Sequence, residues 1–248
     1  MAQVQALLLD FGGVLVDGVT RPGWPARLAT VIGALLAQQG AAVPETLGND
    51  LVAAVEAYGR WGDAMCRPWA PAELSHAEFW SDFVAADWPV AARAVVVGYA
   101  TELCHRLGRL IHDWALRPGV PELLAEMAMR GIPVAVASNT LCGAVHREFL
   151  AGAGLADRFA AQVYSDEAGV RKPNPELIAT AANAVGVPVG DAWYVGDTWS
   201  RDVLCGRRAG VGRTVLMRSL RTDTDVGYRR VAPDLVVPDP AGLLARLP

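Results

Sequence analysis

The sequence predicts an α/β protein with a three-layer, Rossmann-like core, in which helices cover both faces of a parallel sheet. Three observations support this: a short buried strand near the start, alternation of strands and helices from residue 116 onward, and 52% hydrophobic residues. Strands that alternate with helices are typical of parallel sheets covered on both faces. A chain of 248 residues buries roughly 70–75% of its unfolded surface, so the core needs no disulfide support.

The strands of the predicted sheet are short apolar runs, and the helices between them carry start and stop signals. The first strand is "LLLD", and later ones lie in "IPVAVASN", "AQVYS", "AWYVGD", "RTVLM" and "DLVVP". A helix is predicted in "RPGVPELLAEMAMRG" and another over about 141–151. In "NPELIATAANAVG", Asn174 suits an N-cap, Pro175 suits the first helical position, and Gly186 ends the helix.

Residues 18–114 are predicted to form a separate helical domain inserted directly after the first strand. Six of the eight tryptophans lie in this stretch, and no segment of it has a convincing strand pattern. The core is therefore predicted to comprise residues 1–17 and 115–248. The predicted helical segments of the insertion are 27–39, 49–60, 72–86 and 90–110.

Charge and cysteine usage restrict the partners and the compartment. A net charge of −4 gives no general attraction to nucleic acid or to an anionic membrane, so neither is expected as a partner. The arginines at 207, 208, 229 and 230 are expected on solvated faces. The four cysteines form no C-x-x-C pair, and the N-terminus lacks the pattern of a signal peptide. We therefore predict free thiols and a cytoplasmic location.

Four polar residues share one predicted place in the fold. Asp10, Ser138 and Asp197 each end or follow a buried strand, and Lys172 begins the loop before a helix. In an open parallel sheet the carboxyl ends of the strands form the ligand crevice, so these residues are expected to converge there. Taken singly, each has a plainer interpretation as a helix cap, a turn former or a surface lysine. Their combination favours a catalytic site.

In order and spacing, four motifs of this chain resemble those of the haloacid dehalogenase superfamily of aspartate-nucleophile hydrolases. The motifs are "LLLDFGGVLVD", "VAVASN", "RKPNPELI" and "YVGDTWSRDV", and they extend over nearly the whole core. The resemblance implies a sheet of order 5-4-1-2-3 with the nucleophile on the central strand. It also implies that 18–114 is a C1-type helical cap domain, which matches the family in size and helicity.

The same resemblance implies the residues that act on a phosphoryl group. Asp10 corresponds to the nucleophile, which forms an aspartyl-phosphate and so divides one difficult step into two. Ser138 and the backbone N–H of Asn139 correspond to the groups that hold the phosphoryl oxygens. Lys172 corresponds to the lysine that neutralises both the nucleophile and the transferring group. Gly12 and Gly13 allow a sharp turn of the backbone and its close approach to the ligand.

A magnesium site is implied by the remaining matches. Asp10 and Asp197 correspond to Mg²⁺ ligands, the carbonyl of Gly12 to a third ligand, and Asp202 to a second acid that orients the metal shell. Hard oxygen donors of this kind are the ligands that Mg²⁺ requires. The cation would relieve the repulsion between the two carboxylates and a phosphate.

One expected acid is missing from the first motif. Phosphatases of the superfamily usually carry D-x-D, whose second aspartate serves as general acid and base, whereas this chain has D-F-G with Gly12 at that place. General acid–base catalysis contributes about 10²–10⁴-fold. The glycine therefore leaves four alternatives: a slower phosphatase, a substrate with a good leaving group, a replacement acid from the cap, or chemistry other than phosphate hydrolysis.

We interpret the chain as a Mg²⁺-dependent phosphatase of small phosphorylated metabolites, with sugar phosphates as one class of substrate. The superfamily's dehalogenases also lack the second aspartate, but they lack the acid that corresponds to Asp197 as well, and "VGD" retains it here. A dehalogenase-like hydrolase acting at carbon and a catalytically impaired phosphometabolite-binding protein are the alternatives. A monomer or a homodimer is expected.

Overall fold

The computed structural model describes residues 4–225 and 231–248 and divides the chain into two compact units. The core unit comprises the described residues within Met1–Gly18, Pro68–Glu73 and Trp114–Pro248. The helical unit comprises Val19–Arg67 and Leu74–Asp113. The chain thus leaves and re-enters the core unit within the stretch that the sequence assigns to one inserted domain. The predicted surface arginines at 229 and 230 lie outside the described residues.

The core unit is built on a six-stranded parallel sheet with the order β5-β4-β1-β6-β7-β8. This confirms the predicted α/β class. When the six strands of this sheet are numbered along the chain, their order across the sheet is 6-5-4-1-2-3. The predicted order 5-4-1-2-3 is therefore extended by one short edge strand. The strands are β1 (Ala6–Leu9), β4 (Val134–Ser138), β5 (Ala161–Tyr164), β6 (Ala192–Gly196), β7 (Arg213–Met217) and β8 (Leu235–Val237).

Helices cover both faces of this sheet because its central strand is apolar on both sides. Leu7 and Leu9 of β1 pack into one hydrophobic cluster, whereas Leu8 packs into the other. Alternate side chains of a strand point to opposite faces, so one run of leucines supplies both layers. The helices of the core unit are α6 (Val120–Met129), α7 (Gly143–Gly152), α8 (Ser165–Ala168), α9 (Pro175–Ala184), α10 (Leu204–Ala209), α11 (Leu220–Thr224) and α12 (Pro240–Leu244).

The helical unit differs in detail from the predicted segments. The predicted helix 72–86 begins later, at the N-cap Ser75, and continues as a π-helical turn over Phe79–Val84. The predicted helix 90–110 is broken at Tyr99. The helices are α1 (Trp24–Gln38), α2 (Leu47–Ala64), α3 (His76–Glu78), α4 (Val90–Gly98) and α5 (Ala100–Ile111). Among the described residues, no helix combines the length and the apolar character needed to cross a membrane.

Two strands at the ends of the insertion are absent from the sequence-based prediction. β2 (Val16–Thr20) and β3 (His112–Leu116) form a two-stranded sheet, and the boundaries of the two units fall within these strands. The prediction of no strand in this stretch is therefore wrong. After its first residue β2 is exposed throughout, so it lacks the alternation of buried and exposed residues by which a strand is recognised.

The segment Pro68–Glu73 packs against the loop that carries Lys172. Ala72 and Val170 form an antiparallel bridge, and the N–H of Arg171 donates to the carbonyl of Pro71 at 3.2 Å. Nη1 of Arg171 lies 2.7 Å from Oε1 of Glu73, and the two side chains are 4% and 1% exposed. The other oxygen of Glu73 accepts a 2.6 Å hydrogen bond from Ser165. Within the core unit, a buried ion pair therefore holds this segment against the loop of Lys172.

Glu73→Ala should destabilise the protein strongly, because it leaves the guanidinium of Arg171 buried without its carboxylate. Removal of one partner from a buried ion pair costs about 3–5 kcal/mol, measurable as a lower midpoint of urea unfolding. The double change Glu73→Leu with Arg171→Met should recover most of this loss. Glu167→Ala is the matched control, since its pair with Arg147 is exposed and contributes about 1 kcal/mol or less. Equal losses for Glu73→Ala and the control would contradict the prediction.

Candidate functional site

Three buried aspartates converge at the carboxyl ends of the central strands. Asp10 directly follows β1, Asp197 directly follows β6, and Asp202 lies in the π-helical turn Trp199–Val203. Each is no more than 4% exposed, and one carboxylate oxygen from each lies within 4.8 Å of the others. The parallel sheet brings these residues together because β1 and β6 are paired neighbours whose carboxyl ends meet at one edge.

Lys172 reaches this acid cluster from the loop before α9. Its Nζ lies 2.8 Å from Oδ1 of Asp10 and 2.7 Å from Oδ1 of Asp202, and it donates to the hydroxyl of Tyr194 at 2.9 Å. The lysine side chain is only 2% exposed. Burial alone would lower the pKa of this ammonium, but the charges of Asp10 and Asp202 raise it above its ordinary value. Lys172 is therefore a fixed cation beside Asp10.

The carboxylate of Asp202 is fully engaged with protein donors. Oδ1 accepts hydrogen bonds from Lys172 and, at 2.7 Å, from the hydroxyl of Tyr194. Oδ2 accepts from the N–H of Thr198 at 3.0 Å and from its hydroxyl at 2.5 Å. Although burial opposes ionisation, the charge and hydrogen bonds of Lys172 hold the pKa of Asp202 well below its usual range. These contacts suit a residue that orients the lysine, whereas direct ligation of a metal by Asp202 stays a prediction.

The two carboxylate oxygens of Asp197 differ in their contacts. Its Oδ2 accepts a 2.7 Å hydrogen bond from Ser219, and Nε of Arg221 lies 3.8 Å from the same atom. Within the described residues its Oδ1 is buried and has no hydrogen-bond partner. Burial raises the pKa of Asp197 to about 7, an effect that the charge of Arg221 reduces. A buried carboxylate oxygen of this kind is costly unless a cation or a donor binds it.

Both glycines after the first strand lie close to side chains of other elements, and the contact is tighter at Gly13. Gly13 has a φ of +75°, and a Cβ at this position would collide with the carboxylate of Asp197. At Gly12 a Cβ would lie 3.0 Å from Nη1 of Arg221. The chain therefore turns beneath Asp197 at Gly13, while the space beside Gly12 is occupied by a guanidinium.

The two residues that the sequence predicts to bind phosphate lie at the end of β4 and directly after it. Ser138 ends β4, the neighbour of β1, and is 2% exposed. The side chain of Asn139 accepts from the N–H of Lys172 at 2.8 Å and donates to the carbonyl of Lys172 at 3.1 Å. These two bonds fix the backbone of the lysine loop. The binding of phosphoryl oxygens by Ser138 and by the N–H of Asn139 stays a prediction.

Several site residues are absent from the sequence-based prediction. Tyr194 reads as a core residue of β6, and only its hydroxyl at the lysine reveals a polar role. Ser219, Arg221 and Thr222 belong to the short helix α11, where Ser219 and Thr222 form a capping box. The pattern S-x-x-T after a strand was the available signal for this helix. No periodicity could indicate that it contacts Asp197.

The acid cluster fits a divalent metal ion. Carboxylates from Asp10, Asp197 and Asp202 supply hard oxygen atoms within one small volume, and the unpartnered Oδ1 of Asp197 is buried among them. Hard divalent cations such as Mg²⁺ prefer such ligands. Asp10 and Asp197 are the better candidates for direct ligation, because both oxygens of Asp202 already accept two hydrogen bonds each.

An aspartate at the end of the central strand, a buried lysine and two further buried acids thus lie together at one edge of a parallel sheet. Residues 4–210 match the family described as haloacid dehalogenase-like hydrolase. This chain belongs to that family, and the predicted family and enzyme class are confirmed.

The chain is similar in sequence to several phosphatases. The chain is 36% identical over 140 residues to a phosphoserine phosphatase of Thermus thermophilus, covering 56% of this chain and 54% of that protein. It is 36% identical over 99 residues to a phosphoglycolate phosphatase of Rhodospirillum rubrum, covering 40% of each. The matches thus span about half or less of these relatives. A 2-haloacid dehalogenase of Pseudomonas syringae has the same fold, with a TM-score of 0.63, 18% identity and coverage of 98% and 99%.

Proposed function

We propose that this protein is a Mg²⁺-dependent phosphatase of small phosphorylated metabolites that forms an aspartyl-phosphate on Asp10. The observation that carries the proposal is the buried group of Asp10, Lys172 and Asp197 at the sheet edge, with one oxygen of Asp197 unpartnered among the described residues. Named relatives act on phosphoserine and phosphoglycolate, which supports a small phosphomonoester as substrate. A cytoplasmic location and a monomeric or homodimeric state accompany the proposal as predictions.

In the proposed mechanism Asp10 is the nucleophile and Lys172 is the fixed cation beside it. A carboxylate oxygen of Asp10 attacks phosphorus, the bond from phosphorus to the ester oxygen breaks, and that oxygen leaves with the electron pair and takes a proton from water. Lys172 lies 2.8 Å from the nucleophile and neutralises charge on the transferring group. Ser138 and the N–H of Asn139 hold the phosphoryl oxygens. A bound Mg²⁺ would supply further positive charge to the phosphoryl oxygens. Water then hydrolyses the aspartyl-phosphate and regenerates Asp10.

One observation favours a second candidate, a protein that binds a phosphorylated metabolite with little turnover. The acid that usually assists both steps is replaced by Gly12, and Arg221 occupies the space beside it. An arginine is not a proton donor near neutral pH. A dehalogenase has weaker support, because Asp197 with its unpartnered oxygen is suited to a metal that dehalogenation does not need.

Removal of divalent metal should abolish phosphate release, and added Mg²⁺ should restore it. The measurement is phosphate release from a panel of phosphorylated metabolites with Mg²⁺ and with EDTA. The proton on Asp197, whose pKa is raised to about 7 by burial, competes with the cation. The concentration of Mg²⁺ for half-activation should therefore rise about tenfold per pH unit below 7.

The other outcomes of this measurement separate the alternatives. Undiminished phosphate release in EDTA would contradict the metal site. Metal-independent release of halide from a 2-haloacid would favour the dehalogenase. Tight binding of a phosphorylated metabolite without hydrolysis would favour the binding protein.

A further inference from the structure

Arg221 is a second cation at the acid cluster, and it differs from Lys172 in exposure and pairing. Its side chain is 46% exposed, whereas that of Lys172 is 2% exposed. Its contact with the cluster is the 3.8 Å ion pair between Nε and Oδ2 of Asp197. Within residues 4–225 and 231–248, neither Nη atom of Arg221 donates a hydrogen bond. The guanidinium thus borders the site and has unused donors.

The helical turn that carries Arg221 is fastened to the loop after β6. The hydroxyl of Thr222 donates to the carbonyl of Asp197 at 2.6 Å, and the hydroxyl of Ser219 donates to Oδ2 of the same residue at 2.7 Å. Asp225, directly after this helix, accepts from the N–H groups of Trp199 and Ser200 at 2.7 and 2.9 Å. The backbone of Arg221 is therefore fixed beside the cluster, so only its side chain has to become ordered when a ligand binds.

The end of the Arg221 side chain lies where a side chain of residue 12 would lie. A Cβ at residue 12 would lie 3.0 Å from Nη1 of Arg221, so the end of that side chain would have to shift by a few tenths of an ångström. A carboxylate side chain at residue 12 would lie against the guanidinium, where it would pair with it and neutralise its charge. Glycine leaves the positive charge of Arg221 available to a ligand. A glycine at residue 12 therefore favours the binding of an anionic substrate group by Arg221.

We propose that Arg221 binds a second anionic group of the substrate, a carboxylate or a further phosphate, in addition to the phosphoryl group held at Asp10. The inference rests on the proposed phosphatase function and narrows its substrates to phosphomonoesters that carry two anionic groups. A planar guanidinium with both Nη atoms available is suited to bidentate binding of such a group. Hydrogen bonds to charged groups favour a ligand by about 10- to 100-fold over one that lacks the charge.

The test compares esters that differ in one group. Phosphoglycolate carries a carboxylate where 2-hydroxyethyl phosphate carries a neutral alcohol, and 1,2-ethanediol bisphosphate carries a second phosphate. For at least one of the two esters with a second anionic group, the wild-type protein should show a kcat/KM about 10- to 100-fold higher than for 2-hydroxyethyl phosphate. Which of the two esters is preferred identifies the anionic group. Arg221→Gln should reduce this ratio to near 1, and Arg221→Lys should keep part of it, since lysine retains the charge without the fork.

Two further variants make the test specific. Gly12→Ala should displace the end of the Arg221 side chain and lower the same ratio, whatever its effect on hydrolysis of the neutral ester. Arg218→Gln, which removes an exposed cation paired with Asp223, should leave the ratio unchanged.

The inference is overturned if the wild-type protein hydrolyses all three esters without preference, or if Arg221→Gln lowers kcat/KM for all of them equally. The second result would assign Arg221 to the transferring phosphoryl group. Failure of the proposed function itself is distinguishable, since the wild-type protein would then release phosphate from none of the esters.

Discussion

Asp10→Asn should lower the rate of phosphate release by about 10³-fold or more while the protein remains folded. Removal of a covalent nucleophile normally costs several orders of magnitude, because the remaining groups then act only on direct attack by water. Asparagine preserves the shape of the side chain, and its Oδ1 still accepts the 2.8 Å hydrogen bond from the N–H of Phe11. The amide, however, cannot form a stable bond to phosphorus.

The measurement is single-turnover and steady-state phosphate release, combined with a thermal unfolding curve. Asp223→Asn is a matched control, since its side chain is 65% exposed and pairs with Arg218. The control should retain nearly full activity. If Asp10→Asn keeps more than about a tenth of the wild-type rate, Asp10 is not the nucleophile. Trapping of ³²P on the wild-type protein and its absence from Asp10→Asn would test the covalent intermediate directly.

Local signals predicted the elements of the core unit with small errors. The side chain of Asn174 accepts from the N–H of Glu176 at 3.0 Å, and Pro175 occupies the first position of α9, as the sequence indicates. Buried strands that end in a polar residue predicted Asp10 and Asp197 at one edge, because parallel strands share that edge. The information for these features lies within a few neighbouring residues.

Features that depend on distant partners could not be predicted in this way. The buried pair of Glu73 and Arg171 joins residues 98 positions apart, and nothing near Glu73 distinguishes it from an exposed helix residue. The segment therefore read as part of a helix. Arg221 likewise meets Gly12 from more than 200 positions away, in a helix of five residues that is too short for a periodic pattern. The sequence shows that residue 12 is a glycine where an acid is expected, but it does not show that Arg221 lies beside it.

Lys172→Met should have the second large effect, because it removes the buried cation that Asp10 and Asp202 share. The ammonium lies 2.8 and 2.7 Å from these carboxylates, which are themselves almost fully buried. Loss of one partner from such a group costs about 3–5 kcal/mol of unfolding free energy. Loss of a fixed charge at the transferring group should also lower kcat by about 10²–10³-fold.

A double variant separates the two contributions of Lys172. Asp202 accepts from Lys172, Tyr194 and Thr198, and its contacts suit a residue that orients the lysine. Lys172→Met combined with Asp202→Asn removes one positive and one negative buried charge, so much of the lost stability should return. Activity should stay low, because the charge beside Asp10 is still absent. Recovery of activity together with stability would show that Lys172 only balances Asp202, and a single Lys172→Met variant within tenfold of wild-type kcat would exclude the lysine from the chemistry.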